Sequence, residues 1–379
     1  MDTFADLPDA LVRDILAKAA PVAEGVASTL RGVQGQRTRM RDEAGTNGLI
    51  RRKADLDVSR EPSVVGIDGS YQIHRLTAVD LCAAAAVAVE GTAKEAKRYW
   101  PEPYHEMWVE CIPHSVDTTS VLRGIMVAME LKLADQAPHD LVLLDGSFAS
   151  LIIYLNQAIT RLAECAPEGR KQFLARWESG VLEQLKKLVR SDRTAALPKF
   201  TSRNELVQGG RVACPAHIDG KTLATLILEP GEYTAPLPIL DTNETYHIPQ
   251  YTYLDGEKID LCSTADIENM NAALGGVMVT YYRPYGWIPA LRIELPAPVS
   301  ASNTRLSLVL EGITRQFFSP AVVEPYPLFL ADRMVKSLGS GVAVIEQAVS
   351  QHVAESTPDI ETTMLCLQNY RTEGGRGGV

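Results

Sequence analysis

Two Asp-Gly-Ser triplets each follow a short apolar run, and their aspartates are well suited to metal chemistry. The first run is "SVVGIDGS" and the second is "LVLLDGS". Asp-Gly is also ordinary turn chemistry, because glycine permits a positive φ and aspartate bonds to nearby backbone. An aspartate at the end of a buried strand is costly, however, unless something balances its charge. We therefore expect Asp68 and Asp145 to meet at neighbouring strand ends and to hold metal ions.

Two carboxylates side by side repel each other, and a divalent cation is the usual remedy. Ligand sets made only of oxygen suit Mg²⁺ or Mn²⁺ rather than zinc. Two such ions can activate a water and stabilise the leaving oxygen in phosphodiester hydrolysis. Glu130, on the helix predicted before the second aspartate, is the best third ligand, and Glu110 is the reserve. Alternatively, Glu130 is a solvated helix glutamate or a partner of Lys132 or Arg123.

Other catalytic motifs lack their usual support. "CPAHIDGKT" ends like a phosphate-binding loop, but proline replaces the required glycine at position 215. The Asp-Gly before Lys221 instead suggests a turn into a strand, "TLATLIL". No GxGxxG follows a predicted strand, and no GxSxG is present. Nucleotide-driven, redox and serine-hydrolase functions are therefore not favoured.

The composition predicts a globular protein of the cytoplasm. The 379 residues are enough for one large domain or two ordinary ones, with 46% hydrophobic and 22% charged residues. No stretch approaches the roughly 20 apolar residues of a membrane helix, so no membrane association is expected. The six cysteines are scattered without a CxxC, which favours a reducing compartment. The net charge of −10 excludes a generally basic surface but leaves room for a local basic groove.

The first half of the chain predicts a mixed α/β order. Helical periodicity over residues 8–20 precedes a charged segment. We interpret its basic residues as a solvated face, with a contact to DNA as the alternative; they are Arg37, Arg39, Arg41, Arg51, Arg52 and Lys53. From Val64, two strands form a hairpin across Gly69, and residues 106–113 add a third. An amphipathic helix follows, and "HDLVLLDG" is then a strand buried on both faces. The helix between the third and fourth strands implies a parallel connection.

The second half alternates helices and strands. Residues 148–192 are predicted to be helical. Strand signals return in "KTLATLILEPGEYTAPLPI" and "GGVMVTYYRPYGWIPALRIELP". The chain finishes with helices and a glycine-rich tail, "RTEGGRGGV", that we expect to be flexible.

Several of these segments together resemble the NurA nucleases. They are the Asp-Gly-Ser strand with its hairpin, the acidic helix before "LVLLDGS", "LEPGEY", "VMVTYYRP" and "PYPLFLADRM". The resemblance runs from about Pro62 to Ser340. It implies an α/β fold with an RNase H-like mixed β-sheet core flanked by helices, a helical insertion, and helical N- and C-terminal segments.

The resemblance also implies a domain organisation and a function. We expect an N-terminal helical arm at 1–60, a nuclease domain at 61–340 with a helical insertion at 148–195, and a C-terminal helix and flexible tail at 341–379. Members of the family are manganese-dependent DNA nucleases that act as dimers with a hexameric HerA-type translocase. The expected cofactor is Mn²⁺ or Mg²⁺, as two ions, and the expected partners are DNA, a HerA-like ATPase and a second copy of the chain.

Carried over position by position, the resemblance proposes four catalytic metal ligands. Asp68 is the first-strand ligand, Glu130 is the helix carboxylate, and Asp145 bridges the ions. The last position falls at the start of a C-terminal helix, where many members carry histidine after alanine and this chain has Asp332. Aspartate suits either metal, although a first-turn acid favoured by the helix dipole is the alternative. Glu324 stands where some relatives show tyrosine.

Contacts to DNA are proposed for residues of three segments. Lys199, Ser202 and Arg203 form a basic, hydroxyl-bearing loop that could grip phosphates. Arg75 lies in the strand after the first Asp-Gly-Ser. Tyr282 and Arg283 could contact or stack on a single strand.

Three functions are compatible with these features. The first is a metal-dependent deoxyribonuclease working with a HerA-like ATPase in end processing, repair or phage defence. The second is a catalytically weak adaptor that regulates a DNA translocase. The third is a phosphatase-like hydrolase with an aspartate nucleophile, which the missing Asp-x-Asp after the first strand disfavours.

Overall fold

The computed structural model describes residues 7–57, 60–92, 98–208, 210–214, 218–239 and 245–368. The tail "RTEGGRGGV" lies outside these residues. The helices are α1 Asp9–Gln34, α2 Arg37–Thr46, α3 Thr118–Gln136, α4 Phe148–Thr160, α5 Pro167–Glu178, α6 Val181–Val189, α7 Gly220–Ile227, α8 Thr264–Gly275, α9 Ala297–Ser300, α10 Asn303–Thr314, α11 Tyr326–Lys336, α12 Leu338–Ser356 and α13 Ile360–Cys366. The strands are β1 Ile50–Arg52, β2 Val64–Arg75, β3 Asp80–Glu90, β4 Tyr104–Ile112, β5 Leu141–Asp145, β6 Thr194–Leu197, β7 Glu232–Thr234, β8 Leu237–Pro238, β9 Tyr251–Leu254, β10 Glu257–Asp260, β11 Met278–Arg283 and β12 Leu291–Leu295.

The chain forms two compact units. The smaller one is drawn from Met1–Arg52, Thr201–Ala235 and Tyr281–Leu291, and the larger one from the remaining segments. In the smaller unit, β7 pairs antiparallel with both β1 and the end of β11. Within the described ranges, no helix has both the length and the apolar character needed to cross a bilayer.

The larger unit is built on a mixed sheet with the strand order β4-β3-β2-β5-β6-β12. β3 is antiparallel to both β2 and β4, whereas β5 is parallel to β2 and β6 is parallel to β5. The parallel step follows from α3, which connects β4 to β5 as a crossover requires. This order and these directions over β4 to β6 are those of an RNase H-like core, so the predicted fold class is confirmed.

Helices cover both faces of this sheet, and alternate residues of β2 show which helices lie on each face. A side chain at position 66 would point at the backbone of Pro327 and Leu328 on α11, and His74 contacts Glu346 on α12. A side chain at position 69 would instead point at α3, and the hydroxyl of Tyr71 accepts a hydrogen bond from Arg123 on that helix.

Small side chains allow the helices to approach the sheet closely. β3 has the sequence "DLCAAAAVAVE", and its alanines are almost completely buried. At Gly66 of β2, a Cβ atom would lie 2.6 Å from Leu328 N and from the Pro327 carbonyl carbon. Because these are backbone atoms at the start of α11, glycine at this position fixes where that helix lies on the sheet.

The predicted hairpin is correct, but its turn is not at Gly69. β2 continues to Arg75, and Asp68 pairs with Val87 in the middle of an eleven-pair ladder. The chain reverses at residues 76–79. Asp68 therefore lies inside a strand rather than at its end, because that strand is extended on one side by β3 after β5 has stopped.

The predicted strand "TLATLIL" is wrong, since residues 220–227 form α7. Asp219 is the N-cap and its side chain accepts a hydrogen bond from Thr222 N at 3.0 Å. The buried residues Leu223, Ala224 and Ile227 follow a helical spacing. The cap outweighs the β propensity of the threonines and isoleucine.

The basic segment near the N-terminus is not simply a solvated face. Arg41 makes a double hydrogen bond to the buried carboxylate of Glu232 at 2.7 and 2.8 Å. Arg37 donates to the carbonyl of Leu226 at 2.6 Å. Both arginines attach α2 to other parts of the smaller unit. Our interpretation was wrong for Arg41, whereas Arg37 is exposed as expected.

Candidate metal centre

The two Asp-Gly-Ser aspartates lie on adjacent parallel strands. The pairing of β2 with β5 ends at Ile67 and Leu144, so the next residues, Asp68 and Asp145, lie side by side. On its other side, Asp145 is paired with Leu197 of β6. Residues two apart on a strand point to the same face of a sheet, so Asp68 points to the face of Gly66 and Asp145 to that of Leu143. Gly66 and Leu143 are paired, and Gly66 faces α11, so both aspartates project from the face that α11 covers.

The helix α11 adds a third carboxylate to this pair. Asp332 lies in the second turn of α11, and not at the helix start as predicted. Each of Asp68, Asp145 and Asp332 offers a carboxylate oxygen, and these three oxygens lie within 4.8 Å of one another. Three acidic side chains from two strands and one helix therefore converge on one point.

Glu130 approaches the cluster from the opposite face of the sheet. It is buried on α3, and its Oε1 atom lies 2.5 Å from where a Cβ of residue 69 would be. Gly69 therefore leaves the space that Glu130 occupies, and the Gly69 N–H also lies 2.8 Å from Asp68 Oδ1. Burial, followed by the charges of Asp68 and Asp145, raises the pKa of Glu130 well above its usual value.

Lys199 is a cation within the carboxylate cluster. It lies two residues beyond the end of β6, and its Nζ atom is 2.8 Å from Asp332 Oδ1 and 3.0 Å from Asp145 Oδ2. Glu324 Oε2 is 3.2 Å from the same nitrogen. Burial alone would lower the pKa of Lys199, but Asp145 and Asp332 raise it above its ordinary value. Burial likewise raises the pKa of Glu324.

The lysine does not balance all of the negative charge. Burial raises the pKa of Asp68 to about 8, the charge of Asp145 adds to this effect, and Lys199 opposes it. The ammonium of Lys199 instead holds the pKa of Asp332 below its usual value, although burial acts in the other direction. A site with several carboxylates, one ammonium and oxygen donors only fits Mn²⁺ or Mg²⁺.

The remaining predicted site residues, which are the reserve metal ligand and the DNA contacts, lie in both units. In the larger unit, Arg75 is exposed at the far end of β2, and Glu110 is exposed on β4, in register with Cys82. In the smaller unit, Ser202 is exposed and Arg203 is half-buried.

The two β11 residues are used inside the smaller unit. Tyr282 is only 1% exposed, and a stacking residue needs an open ring face. Arg283 donates to the carbonyl of Leu228 at 2.7 Å and to that of Thr225 at 3.2 Å. The two side chains therefore serve packing and hydrogen bonding within the smaller unit.

Comparison with known proteins identifies the family. The family model described as the NurA domain matches residues 62–337. The chain belongs to the NurA family. A comparison with curated proteins found no match.

Solved NurA structures share the fold at low sequence identity. The NurA nuclease from Sulfolobus solfataricus is 13% identical, with a TM-score of 0.60 over 93% of this chain and 99% of that one. A structure of NurA with manganese is 12% identical, with a TM-score of 0.52 over 91% and 99%. A further NurA structure is 12% identical, with a TM-score of 0.50 over 94% and 100%.

The buried carboxyl group of Asp68 makes the stability of the metal-free NurA protein depend on pH. Because its pKa is about 8 when folded, the folded state retains a proton that the unfolded state has lost, and stability falls as pH rises from about 4 to about 8. We expect Asp68→Asn to remove this part of the decline in Tm, measured in EDTA. Asp255→Asn, on an exposed turn, should keep the wild-type slope. Equal slopes for all three proteins would contradict the assignment.

Lys199 should compete with a divalent cation for the carboxylates. In Lys199→Met, the ammonium no longer pairs with Asp145 and Asp332, so we expect Mn²⁺ to bind about tenfold more tightly, or about 1.4 kcal/mol. Titration calorimetry at a pH near 8 would measure this change. Lys187→Met removes a lysine that pairs with Asp135 instead and is the control. Unchanged or weaker binding in Lys199→Met would show that the lysine does not oppose the metal.

Proposed function

We propose that this protein is a metal-dependent deoxyribonuclease that hydrolyses phosphodiester bonds. The observation that carries the proposal is the convergence of the Asp68, Asp145 and Asp332 carboxylates in a chain of the NurA family. Two solved relatives, a NurA nuclease and NurA with manganese, support the same chemistry. The substrate is DNA, and the cofactor is Mn²⁺ or Mg²⁺.

Four residues would hold the metal in this proposal: Asp68, Glu130, Asp145 and Asp332. Their number is sufficient for two ions. When bound, such ions supply an activated water and stabilise charge on the phosphate. The raised pKa values of Asp68 and Glu130 mean that both carboxyl groups give up protons when they become ligands.

Lys199 has a second part in the proposed reaction. If a metal were to take Asp145 and Asp332 as ligands, the Lys199 ammonium would instead be able to pair with a phosphate oxygen of the DNA strand. Three donors on a flexible stem suit this role. Arg75, Ser202 and Arg203 remain proposed contacts to DNA phosphates, where binding is independent of base sequence.

The proposal is tested by degradation of linear single- and double-stranded DNA with Mn²⁺, Mg²⁺ or EDTA. Asp68→Ala should lower the rate more than about a hundredfold, because loss of an outer-shell partner alone costs a metal site about 10- to 100-fold. Asp255→Asn should cut at the wild-type rate. EDTA should abolish cutting by the wild type.

The same experiment distinguishes the adaptor function. If the wild type stays inert with a HerA-type ATPase and ATP, as well as alone, the nuclease proposal fails and a regulatory adaptor takes its place. The HerA-type partner itself is proposed from the family resemblance. Cutting that rises when that ATPase and ATP are added would support the partnership, and cutting unaffected by them would count against it.

We also propose that the protein acts as a homodimer, with α1 at the contact. One stripe of α1 exposes Leu11, Ile15, Val22 and Val26, whose exposed fractions run from 44% to 63%. Of the residues of α1, Val33 is the buried one. An apolar stripe of this kind is typical of a helix that packs against another surface.

The dimer is tested by sedimentation equilibrium. We expect a mass of two chains for the wild type and of one chain for Ile15→Glu, because a charge in the stripe is costly to bury. Ala17→Glu places the same charge on the other side of α1 and should stay dimeric. A monomeric wild type, or a dimeric Ile15→Glu, would rule out this contact.

A further inference from the structure

The second Asp-Gly-Ser triplet is held in place by a buried acid from a distant part of the chain. Glu294 lies on β12, beside Ala196 of β6, and is completely buried. Its carboxylate accepts hydrogen bonds from Ser147 Oγ at 2.8 and 2.9 Å and from Phe148 N at 2.9 Å. Arg292, also buried, donates to the same carboxylate.

These bonds lie directly after Asp145. Gly146 has a φ of +89°, so the chain turns sharply there, and Ser147 then caps α4 by accepting from Ala149 N at 3.2 Å. Both ends of this turn are held. Leu144, before it, is paired with β2 on one side and with β6 on the other, and Ser147, after it, is hydrogen-bonded to Glu294. These two attachments fix the backbone at Asp145 and so the direction of its side chain.

We propose that Glu294 is a positioning residue for the metal ligand Asp145. The inference rests on the proposed function in one respect, namely that Asp145 binds a metal. A cap for α4 alone would need only the Ser147 hydroxyl, as at Ser302 of α10, and not a fully buried carboxylate. Burying a charge is costly unless several donors satisfy it, and here two groups of the Asp145 turn supply three of the contacts.

The serines of the two Asp-Gly-Ser triplets have different roles, and Glu294 contacts only the second. Ser70 continues β2 and pairs with Ala85. Ser147 leaves β5 and connects α4 to Glu294. The hydroxyl at 147 therefore both caps a helix and links the metal ligand to β12.

The test is Mn²⁺ affinity, measured by the electron paramagnetic resonance signal of free Mn²⁺ on folded protein. Glu294→Gln should weaken binding about 10- to 100-fold, as loss of an outer-shell partner does. Ser147→Ala should also weaken Mn²⁺ binding, whereas Ser147→Thr, which keeps the hydroxyl, should bind Mn²⁺ as the wild type does. Asp266→Asn is the control, because Asp266 on α8 accepts hydrogen bonds from the helix-capping Ser263 and from Lys186 on α6. It should lower Tm and leave Mn²⁺ affinity unchanged.

A double-mutant cycle separates positioning from general destabilisation. If Glu294 acts through Asp145, Glu294→Gln should weaken Mn²⁺ binding little further in an Asp145→Asn background but fully in an Asp332→Asn background. Equal effects in both backgrounds, or unchanged affinity in Glu294→Gln, would overturn the inference. If Glu294→Gln does not fold, the Ser147 variants test the inference instead. Mn²⁺ affinity equal to the wild type in Ser147→Ala would then overturn it. A wild type that binds no Mn²⁺ would instead contradict the proposed function.

Discussion

Repulsion among converging carboxylates is the constraint on which the rest of the structure depends. Asp68, Asp145 and Asp332 meet within 4.8 Å, Glu130 approaches from behind, and Lys199 is the cation among them. A folded chain tolerates this only by keeping protons on some groups and an ammonium between others. Both are substitutes for a divalent cation. The raised pKa of Asp68 and the position of Lys199 therefore have one cause.

The surrounding fold supplies the close approaches that the cluster requires. Parallel pairing places Asp68 beside Asp145, and glycines at 66 and 69 admit α11 on one face and Glu130 on the other. The alanines of β3 serve the same purpose for both layers of helices. Glu294 accepts hydrogen bonds from the turn after Asp145. Small residues and one buried acid thus surround the converging carboxylates.

Part of this could be predicted from the sequence. The crossover helix before "LVLLDGS" implied parallel strands, and parallel strands with equivalent aspartates imply adjacent carboxylates. Only the family resemblance predicted Asp332 as a metal ligand. The residues around it in the sequence do not show which part of the sheet a helix so far along the chain packs against. The role of Gly69 depends on which side chain packs against it, which no periodicity reveals. α7 was missed because threonine and isoleucine favoured a strand while the deciding contact was the Asp219 cap.

These carboxylates should bind a divalent cation, and anomalous scattering from a Mn²⁺-soaked crystal would locate it. We expect a peak in contact with Asp68, Asp145 and Asp332, and a Lys199 side chain that has left Asp145 and Asp332. A soaked crystal with no peak at these residues, and with Lys199 still bound to both aspartates, would contradict this expectation.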